Sequence, residues 1–153
     1  MNCINPTEQV LAAYTSETDD ANPIVILNLL KLKEKVEVDG KTVHGKEAYK
    51  RYSLGATKIA WQCGGQVLWM GKVKFTLIAP EGEKWDQVIM LHFPSRSHFL
   101  QMLHSPEYAE LKPHREAALE TSRLLELNSV MFSKIQLWLM AFLYRLKVRF
   151  QKA

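Results

Sequence analysis

Polar side chains occur in this chain at positions where packing alone needs none. Asn28 interrupts the apolar run VILNLLKLKE at residues 25–34, and Arg96 follows the end of a predicted strand. His114 and Arg115 are neighbours inside a predicted helix. A guanidinium binds a carboxylate or an enolate with two hydrogen bonds, and an imidazole transfers protons near neutral pH. These residue types predict a small-molecule site.

The roles follow from this chemistry. We expect Arg96 to hold the oxyanion of a substrate, His114 or His92 to move a proton, and Asn28 to orient the molecule. His114 and Arg115 point about 100° apart on a helix, so only one of them can face a cavity fully. Further candidates for substrate binding are Tyr108, Arg115 and Trp69.

Each candidate also has a structural interpretation. Asn28 could bond a neighbouring loop, His92 could be a satisfied core residue, and His114 could be exposed or could cap its helix. Tyr108 and Trp69 could serve packing alone. For Arg96 the structural alternative is a salt bridge to one of three carboxylates, Glu107, Glu110 or Glu120.

The sequence gives no sign of a metal or a cofactor. His92, His98 and His104 are spaced by six, which places them on no common face of a strand or helix. No glycine-rich phosphate loop is present. We therefore expect neither a metal nor a cofactor.

Charge and cysteine content narrow the class of protein. Residues 1–127 hold 15 Lys and Arg against 16 Asp and Glu, whereas residues 128–153 hold five basic residues and no acid. The net charge of +4 therefore belongs to the tail, and a nucleic-acid-binding domain is not expected. Cys3 and Cys63 form no CxxC pair, and the N-terminus has no secretory pattern, so a cytoplasmic protein with reduced thiols is predicted.

The elements that must hold these residues follow from apolar spacing and from capping signals. Asn5 is predicted to cap a first helix, and Gly64-Gly65 is predicted to end the next one. Ser95 and Ser105 are predicted to cap two further helices. Pro113 is predicted to bend or split the last of these helices. The predicted elements are a helix through Tyr14, a strand at 24–32, a loop or small hairpin at 34–45, a helix at 46–62, strands at 66–79 and 85–93, helices from 95 and from 105, and a strand at 123–127.

This order is β-α-β followed by β-α-β, which predicts an α+β, ferredoxin-like plait with a four-stranded antiparallel sheet. The strands are apolar on both faces, although helices cover only one face of such a sheet. Two copies packing sheet to sheet would cover the second face. We therefore expect a homodimer with a barrel-like cavity between the sheets.

Seven segments agree with a known family in identity and spacing: VILNLLKLKE (25–34), GKEAYKRY (45–52), CGGQVLWMGKV (63–73), WDQVIML (85–91), FPSRSHFLQML (93–103), SPEY (105–108) and HREAALETSRLLE (114–126). Over about residues 6–127 the chain resembles domain-of-unknown-function family 1330. The resemblance implies the dimeric α+β barrel fold, also seen in muconolactone isomerases and cofactor-free monooxygenases, and it implies no reaction. Ser105 and Thr121 stand where the family usually has aspartate.

The tail at 128–153 reads as one apolar, basic, amphipathic helix. Its apolar run Ile135–Tyr144 is too short for a bilayer, which needs about 20 residues. Three interpretations stay open: packing on the domain or on the partner subunit, contact with a membrane surface through residues 130–150, and an extension that binds another partner or folds poorly.

Two hypotheses for function result. The first is a barrel protein that binds a small anionic or carbonyl-bearing molecule, with cofactor-independent proton transfer or isomerisation as its chemistry if it is an enzyme. The alternative is a non-catalytic dimeric interaction module whose C-terminal helix docks on a membrane surface or a partner.

Overall fold

The computed structural model describes residues 3–17, 21–38, 40–128, 139, 142 and 143. The elements, in chain order, are α1 (Glu8–Ser16), β1 (Ile24–Leu32), β2 (Lys35–Val38), β3 (Lys41–His44), α2 (Gly45–Gln62), β4 (Gln66–Lys72), β5 (Gln87–Phe93), α3 (Arg96–His104), α4 (Pro106–Ala118) and β6 (Leu119–Asn128).

Four strands form one antiparallel sheet in the order β4-β5-β1-β6. Strand β1 is central, and Asn28 lies opposite Ile89 of β5 and Leu124 of β6. The predicted ferredoxin-like plait is confirmed, with α2 as one crossover and α3 with α4 as the other. A hairpin of β2 and β3 precedes α2, in the segment at 34–45 where the sequence predicted a loop or small hairpin.

The sheet has two faces, which alternate along each strand. On β1 the side chains of Ile24, Ile26, Asn28 and Leu30 are buried beneath the helices. We call this the helix face. The opposite, outer face contains Val25, Leu27 and Leu29 of β1 and, by register, Val88, Met90, His92, Trp69, Leu125 and Leu127.

Helix α2 presents the apolar stripe that its spacing predicted. Ala48, Tyr49, Tyr52, Ala56 and Ile59 are buried against the sheet and the neighbouring helices. The helix ends where predicted, because Gly64 adopts a φ of 75°, which glycine tolerates without strain. Full burial of side chains such as Ile26 and Phe93 stabilises the fold by about 1.5–3 kcal/mol each.

Two boundaries, one near the N-terminus and one in the first half of the sheet, differ from the sequence prediction. Helix α1 is capped by Thr7, whose Oγ1 accepts from the Val10 amide at 3.2 Å, and not by Asn5. The Asn5 side chain instead donates to Glu116 on α4. Strand β4 ends at Lys72 and not at residue 79, since its partner β5 begins at Gln87, opposite Lys72.

The second half of the plait differs as well. Strand β6 begins at Leu119, where the predicted strand began at 123, because Leu119 already pairs with Leu32 and is fully buried. Helix α4 runs through Pro113 without being split. Ser105 caps α4 as predicted, with its Oγ accepting from the Tyr108 amide at 3.2 Å.

The outer face and the segment that follows β4 carry exposed apolar side chains. Trp69 is 54% exposed, and its ring lies over Gly71, where an added Cβ would come within 2.4 Å of it. Phe75, Leu77 and Ile78 are 79–96% exposed. No helix among the described residues has the length and apolarity that crossing a membrane requires.

Candidate functional site

A cavity of about 550 Å³ lies between the helix face of the sheet and the three helices that cover it. Its floor includes Ile26, Asn28, Ile89 and Leu91 of the sheet. Its other walls come from α2, α3 and α4 and are mostly apolar. The volume falls in the range of small-molecule sites, which are generally apolar with a few placed polar groups. This cavity lies within one subunit, whereas the sequence predicted a cavity between two sheets.

Asn28 is a polar residue in the apolar floor of this cavity. Its side chain is 7% exposed, and its Oδ1 atom accepts no hydrogen bond from a protein group. The flanking positions on the helix face are Ile26 and Leu30, and neither can donate. A buried acceptor without a partner costs about 1–3 kcal/mol of folding free energy, so its retention needs an explanation.

Arg115 projects from α4 into the same cavity and is 4% exposed. Its Nη2 donates to the Ile4 carbonyl at 3.1 Å and to Ser122 Oγ at 3.0 Å, whereas its Nη1 has no partner. No ion pair within the described residues involves Arg115. A buried cation without a counter-ion is unfavourable by several kcal/mol.

The two residues that carry these atoms line one cavity. Among the described residues, Asn28 Oδ1 and Arg115 Nη1 are the buried side-chain nitrogen and oxygen atoms that lack a partner. One is an acceptor and the other a charged donor, and both residues line the cavity. A bound molecule that carries an anionic acceptor and a donor would satisfy both.

Three tyrosines add hydroxyl groups to the lining of the cavity. The hydroxyls of Tyr52 and Tyr108 hydrogen-bond each other at 3.0 Å, and the rings of Tyr49 and Tyr52 lie 5.3 Å apart. Burial raises the pKa of Tyr49 to about 12, although the Arg115 charge opposes this shift. Burial also raises the pKa of Tyr52 well above its usual value. Both phenols are therefore neutral near pH 7.

Lysines line the outer part of the cavity. Lys46, Lys50 and Gln87 line both the cavity and a wider cleft of about 830 Å³, so the two spaces adjoin at these residues. The amines of Lys46 and Lys72 are in hydrogen-bond contact, which lowers the pKa of Lys46. Like charges held together favour the approach of an anion.

The structure brings together three of the seven predicted site residues. Asn28, Tyr108 and Arg115 line the cavity. His92 and Trp69 lie on the outer face, away from it. His114 is exposed on α4, so of the neighbouring pair it is Arg115 that turns inward, as the 100° separation requires of one of them. We therefore assign neither histidine to chemistry in this cavity.

Arg96 makes a separate cluster outside the cavity. Its Nε and Nη2 donate to the two carboxylate oxygens of Glu126 at 3.0 and 2.7 Å, and its Nη1 lies 3.0 Å from Glu17. Tyr14 also donates to Glu126, and its ring lies 4.8 Å below the guanidinium. Arg96 therefore forms a salt bridge, which was the structural alternative considered from the sequence. Its partners are Glu126 and Glu17, not Glu107, Glu110 or Glu120.

Sequence reasoning did not assign Tyr49, Tyr52, Lys46 or Lys50 to the site. From the sequence, Tyr49 and Tyr52 were interpreted only as buried positions in the apolar stripe of α2. A usable signal was nevertheless present, since a buried tyrosine hydroxyl needs a hydrogen-bond partner and therefore marks a polar spot in a core. Within the described residues, no group of three His, Cys, Asp or Glu side chains could hold a metal ion.

Comparison with known proteins identifies the family and the fold. A family model described as a domain of unknown function, DUF1330, matches residues 38–126. RPA0582, a protein of unknown function from Rhodopseudomonas palustris, is 34% identical, with 86% of this chain and 100% of that chain covered and a TM-score of 0.78. No protein of curated function matches the chain.

Two enzymes share the fold at lower similarity. A hydroxynitrile lyase from Passiflora edulis is 10% identical, covering 74% of this chain and 99% of that chain with a TM-score of 0.53. SnoaB, a cofactor-independent oxygenase from Streptomyces nogalater, is 10% identical, covering 74% and 98% with a TM-score of 0.50. At this identity the likeness concerns the fold alone. The family match and the identity to RPA0582 confirm the resemblance seen in the sequence: the chain belongs to the DUF1330 family.

Proposed function

We propose that the protein binds a small organic molecule in the cavity between the sheet and helices α2, α3 and α4. One observation carries the proposal: Asn28 Oδ1 and Arg115 Nη1 are both buried, both lack a partner, and both belong to residues that line this cavity. Two such atoms in one apolar cavity are costly to the empty protein. A ligand that bonds both would recover that free energy on binding.

A purely structural role explains less of Arg115. Its bonds to Ile4 and Ser122 tie the N-terminal segment to β6 through Nη2 alone. A neutral glutamine could donate to those two oxygens without burying a guanidinium. The positive charge and the second amino group are accounted for by an anion bound in the cavity.

Binding is better supported than catalysis. The predicted proton-transfer residues His92 and His114 do not line the cavity. The pKa values of Tyr49 and Tyr52, which line the cavity, are raised, so these phenols are poor acids and stay neutral near pH 7. We therefore propose a binding function without assigning a reaction.

The proposal includes a homodimer formed through the outer face. Trp69 on that face and Phe75, Leu77 and Ile78 in the following segment expose a large part of their apolar surface in the single chain. Soluble monomers rarely expose contiguous apolar surface of this kind. A second copy of the chain is the partner whose sheet offers the same apolar face in return.

The alternative function of a docking module depends on the tail at 128–153. That helix lies outside the described residues apart from Leu139, Phe142 and Leu143, so its contact with a membrane or a partner stays a prediction. Liposome binding by the full chain and by a chain ending at Asn128 tests it. Binding that survives the truncation would remove the tail from consideration.

Native mass spectrometry of protein purified gently from cells tests the proposed function. We expect a dimer that carries a reproducible small extra mass. The Arg115→Met variant should lose this mass, and the matched control Lys112→Met, exposed on the same helix, should keep it. An unliganded protein that also takes up nothing from a small-molecule extract of the same cells would overturn the proposal, and a monomer would overturn the dimer.

A further inference from the structure

We infer that the cavity selects an aromatic carboxylate that also carries a hydroxyl group. The inference rests on the proposed function, because it names the class of molecule that the same cavity would bind. Three features of the cavity each specify one part of that molecule: the charge at Arg115, the acceptor at Asn28 and the aromatic walls.

The charge at Arg115 specifies an anion. Its guanidinium is 4% exposed, and no carboxylate of the described residues neutralises it. A neutral carbonyl could accept a hydrogen bond from Nη1 but would leave the buried charge without a counter-ion. A carboxylate supplies both the acceptor and the charge, and guanidinium–carboxylate bonds are stronger than bonds between neutral groups.

The acceptor at Asn28 specifies a donor elsewhere on the molecule. A carboxylate only accepts, so it cannot satisfy Asn28 Oδ1. A hydroxyl donates to Oδ1, and its oxygen remains able to accept from a tyrosine hydroxyl. An amine would also donate, but its positive charge would be buried beside Arg115 and repelled by the lysines at 46 and 50.

The walls specify a flat, aromatic body larger than one ring. The lining includes the rings of Tyr49, Tyr52, Trp61, Phe93, Phe99 and Tyr108. Rings favour offset or edge-to-face contact with other rings, and the sulfur atoms of Met70 and Met102, which also line the cavity, make favourable contacts with aromatic rings. A cavity of about 550 Å³ has room for a fused ring system.

Three naphthalene probes of one shape separate these features on the unmodified, full-length protein. They are 6-hydroxy-2-naphthoate, its neutral amide 6-hydroxy-2-naphthamide, and 2-naphthoate, which lacks the hydroxyl. Isothermal titration at pH 7 should show the hydroxynaphthoate binding at least about tenfold more tightly than either of the others. The amide leaves the buried Arg115 charge without a counter-ion, and 2-naphthoate leaves Asn28 Oδ1 without a donor.

Two variants then attribute each preference to its residue. Arg115→Met should abolish the preference for the carboxylate over the amide and keep the preference for the hydroxyl. Asn28→Leu should do the reverse. Circular dichroism first checks that each variant folds, and the three-probe comparison on the unmodified protein stands whether or not the variants fold.

The outcomes distinguish this inference from the proposed function. Equal affinity for acid and amide, or for probes with and without the hydroxyl, overturns the ligand class. Failure of all three probes to bind overturns it as well, while a small mass retained in native mass spectrometry would leave the proposed function standing. If no probe binds and no mass is retained, both are overturned.

Discussion

Two arginines lie beneath the same sheet, and they differ in whether a carboxylate neutralises the guanidinium. Arg96 is largely buried against two carboxylates, with a two-pronged bond to Glu126 and a third contact to Glu17. Arg115 is more deeply buried and bonds two neutral oxygens, with no carboxylate partner in the described residues. The first guanidinium is neutralised by the fold, and for the second we propose a bound anion as the counter-ion.

This contrast separates an arginine that holds the fold from one to which we assign a ligand-binding role as a proposal. Arg96 and Glu126 join the start of α3 to the end of β6, and Tyr14 joins α1 to the same point. The Arg96 hydrogen bonds lower the pKa of Glu126, and the Glu126 hydrogen bond raises the pKa of Arg96. The hydrogen bonds and ion pairs around Arg96 come from the protein alone, whereas Arg115 Nη1 has no protein partner.

The largest expected effect is the loss of Arg96. Arg96→Met leaves Glu126 partly buried without its counter-ion, so we expect the free energy of unfolding to fall by about 2–4 kcal/mol. Urea unfolding followed by circular dichroism measures it. Glu17→Gln serves as the control, because Glu17 is 66% exposed and its contact with Arg96 should contribute at most about 1 kcal/mol. Equal effects of the two substitutions would contradict this account of the cluster.

Arg115→Met should destabilise the ligand-free protein less than Arg96→Met does. The substitution removes two hydrogen bonds, worth about 1 kcal/mol each, and also removes a buried, unpaired charge, which offsets part of that loss. We expect a net change below about 2 kcal/mol in urea unfolding, together with weaker binding of the ligand. A destabilisation as large as that of Arg96→Met would identify Arg115 as a structural residue and break the comparison.

Acid should act on the Arg96 cluster. The pKa of Glu126 is lowered in the folded protein, mainly by the Arg96 hydrogen bonds, so below its ordinary value of 4.5 the unfolded chain binds a proton more readily than the folded one. The stabilisation is therefore complete above about pH 4.5 and is lost as the pH falls through the lowered pKa. Unfolding free energies across this range should fall less steeply in Glu126→Gln than in the unmodified protein. Parallel curves would contradict the prediction.

The smallest expected effect is that of Tyr108→Phe. It removes the hydroxyl that hydrogen-bonds the hydroxyl of the buried Tyr52 at 3.0 Å. We expect a loss of about 1 kcal/mol in thermal or urea unfolding. Tyr14→Phe provides the comparison in the other cluster, where Glu126 keeps both bonds from Arg96. A change above about 3 kcal/mol for Tyr108→Phe would show a larger structural role than a single hydroxyl pair supports.

The sequence predicted the plait because each element carries a local signal. The apolar run at 24–32, the stripe on α2 and the serine cap of α4 depend on neighbours within a few residues. Ser95 lies at the N-cap position of α3 as predicted, but its side chain bonds Ser97 and His98 and caps no backbone amide. The end of β4 could not be predicted in the same way, because residues 73–79 keep the alternating pattern of a strand. Only the length of β5, a separate segment, limits the pairing to Lys72.

The candidate site was predictable in part for the same reason. Asn28 and the pair His114-Arg115 are visible as local anomalies, and helical geometry requires that one of the pair turn away. The partner of Arg96 was not visible, because Glu126 lies 30 residues further along and is brought close by the position of β6 beside β1. Which arginine is neutralised by the fold depends on tertiary structure.

A crystal structure of the full-length protein, purified from cells without refolding, tests the central claim most directly. We expect density for a planar anion within about 3 Å of Arg115 Nη1, with a donor of the same molecule at Asn28 Oδ1 and no ligand at Arg96. Protein side chains or water bonded to both Arg115 Nη1 and Asn28 Oδ1, in a cavity otherwise closed by packing, would contradict the account.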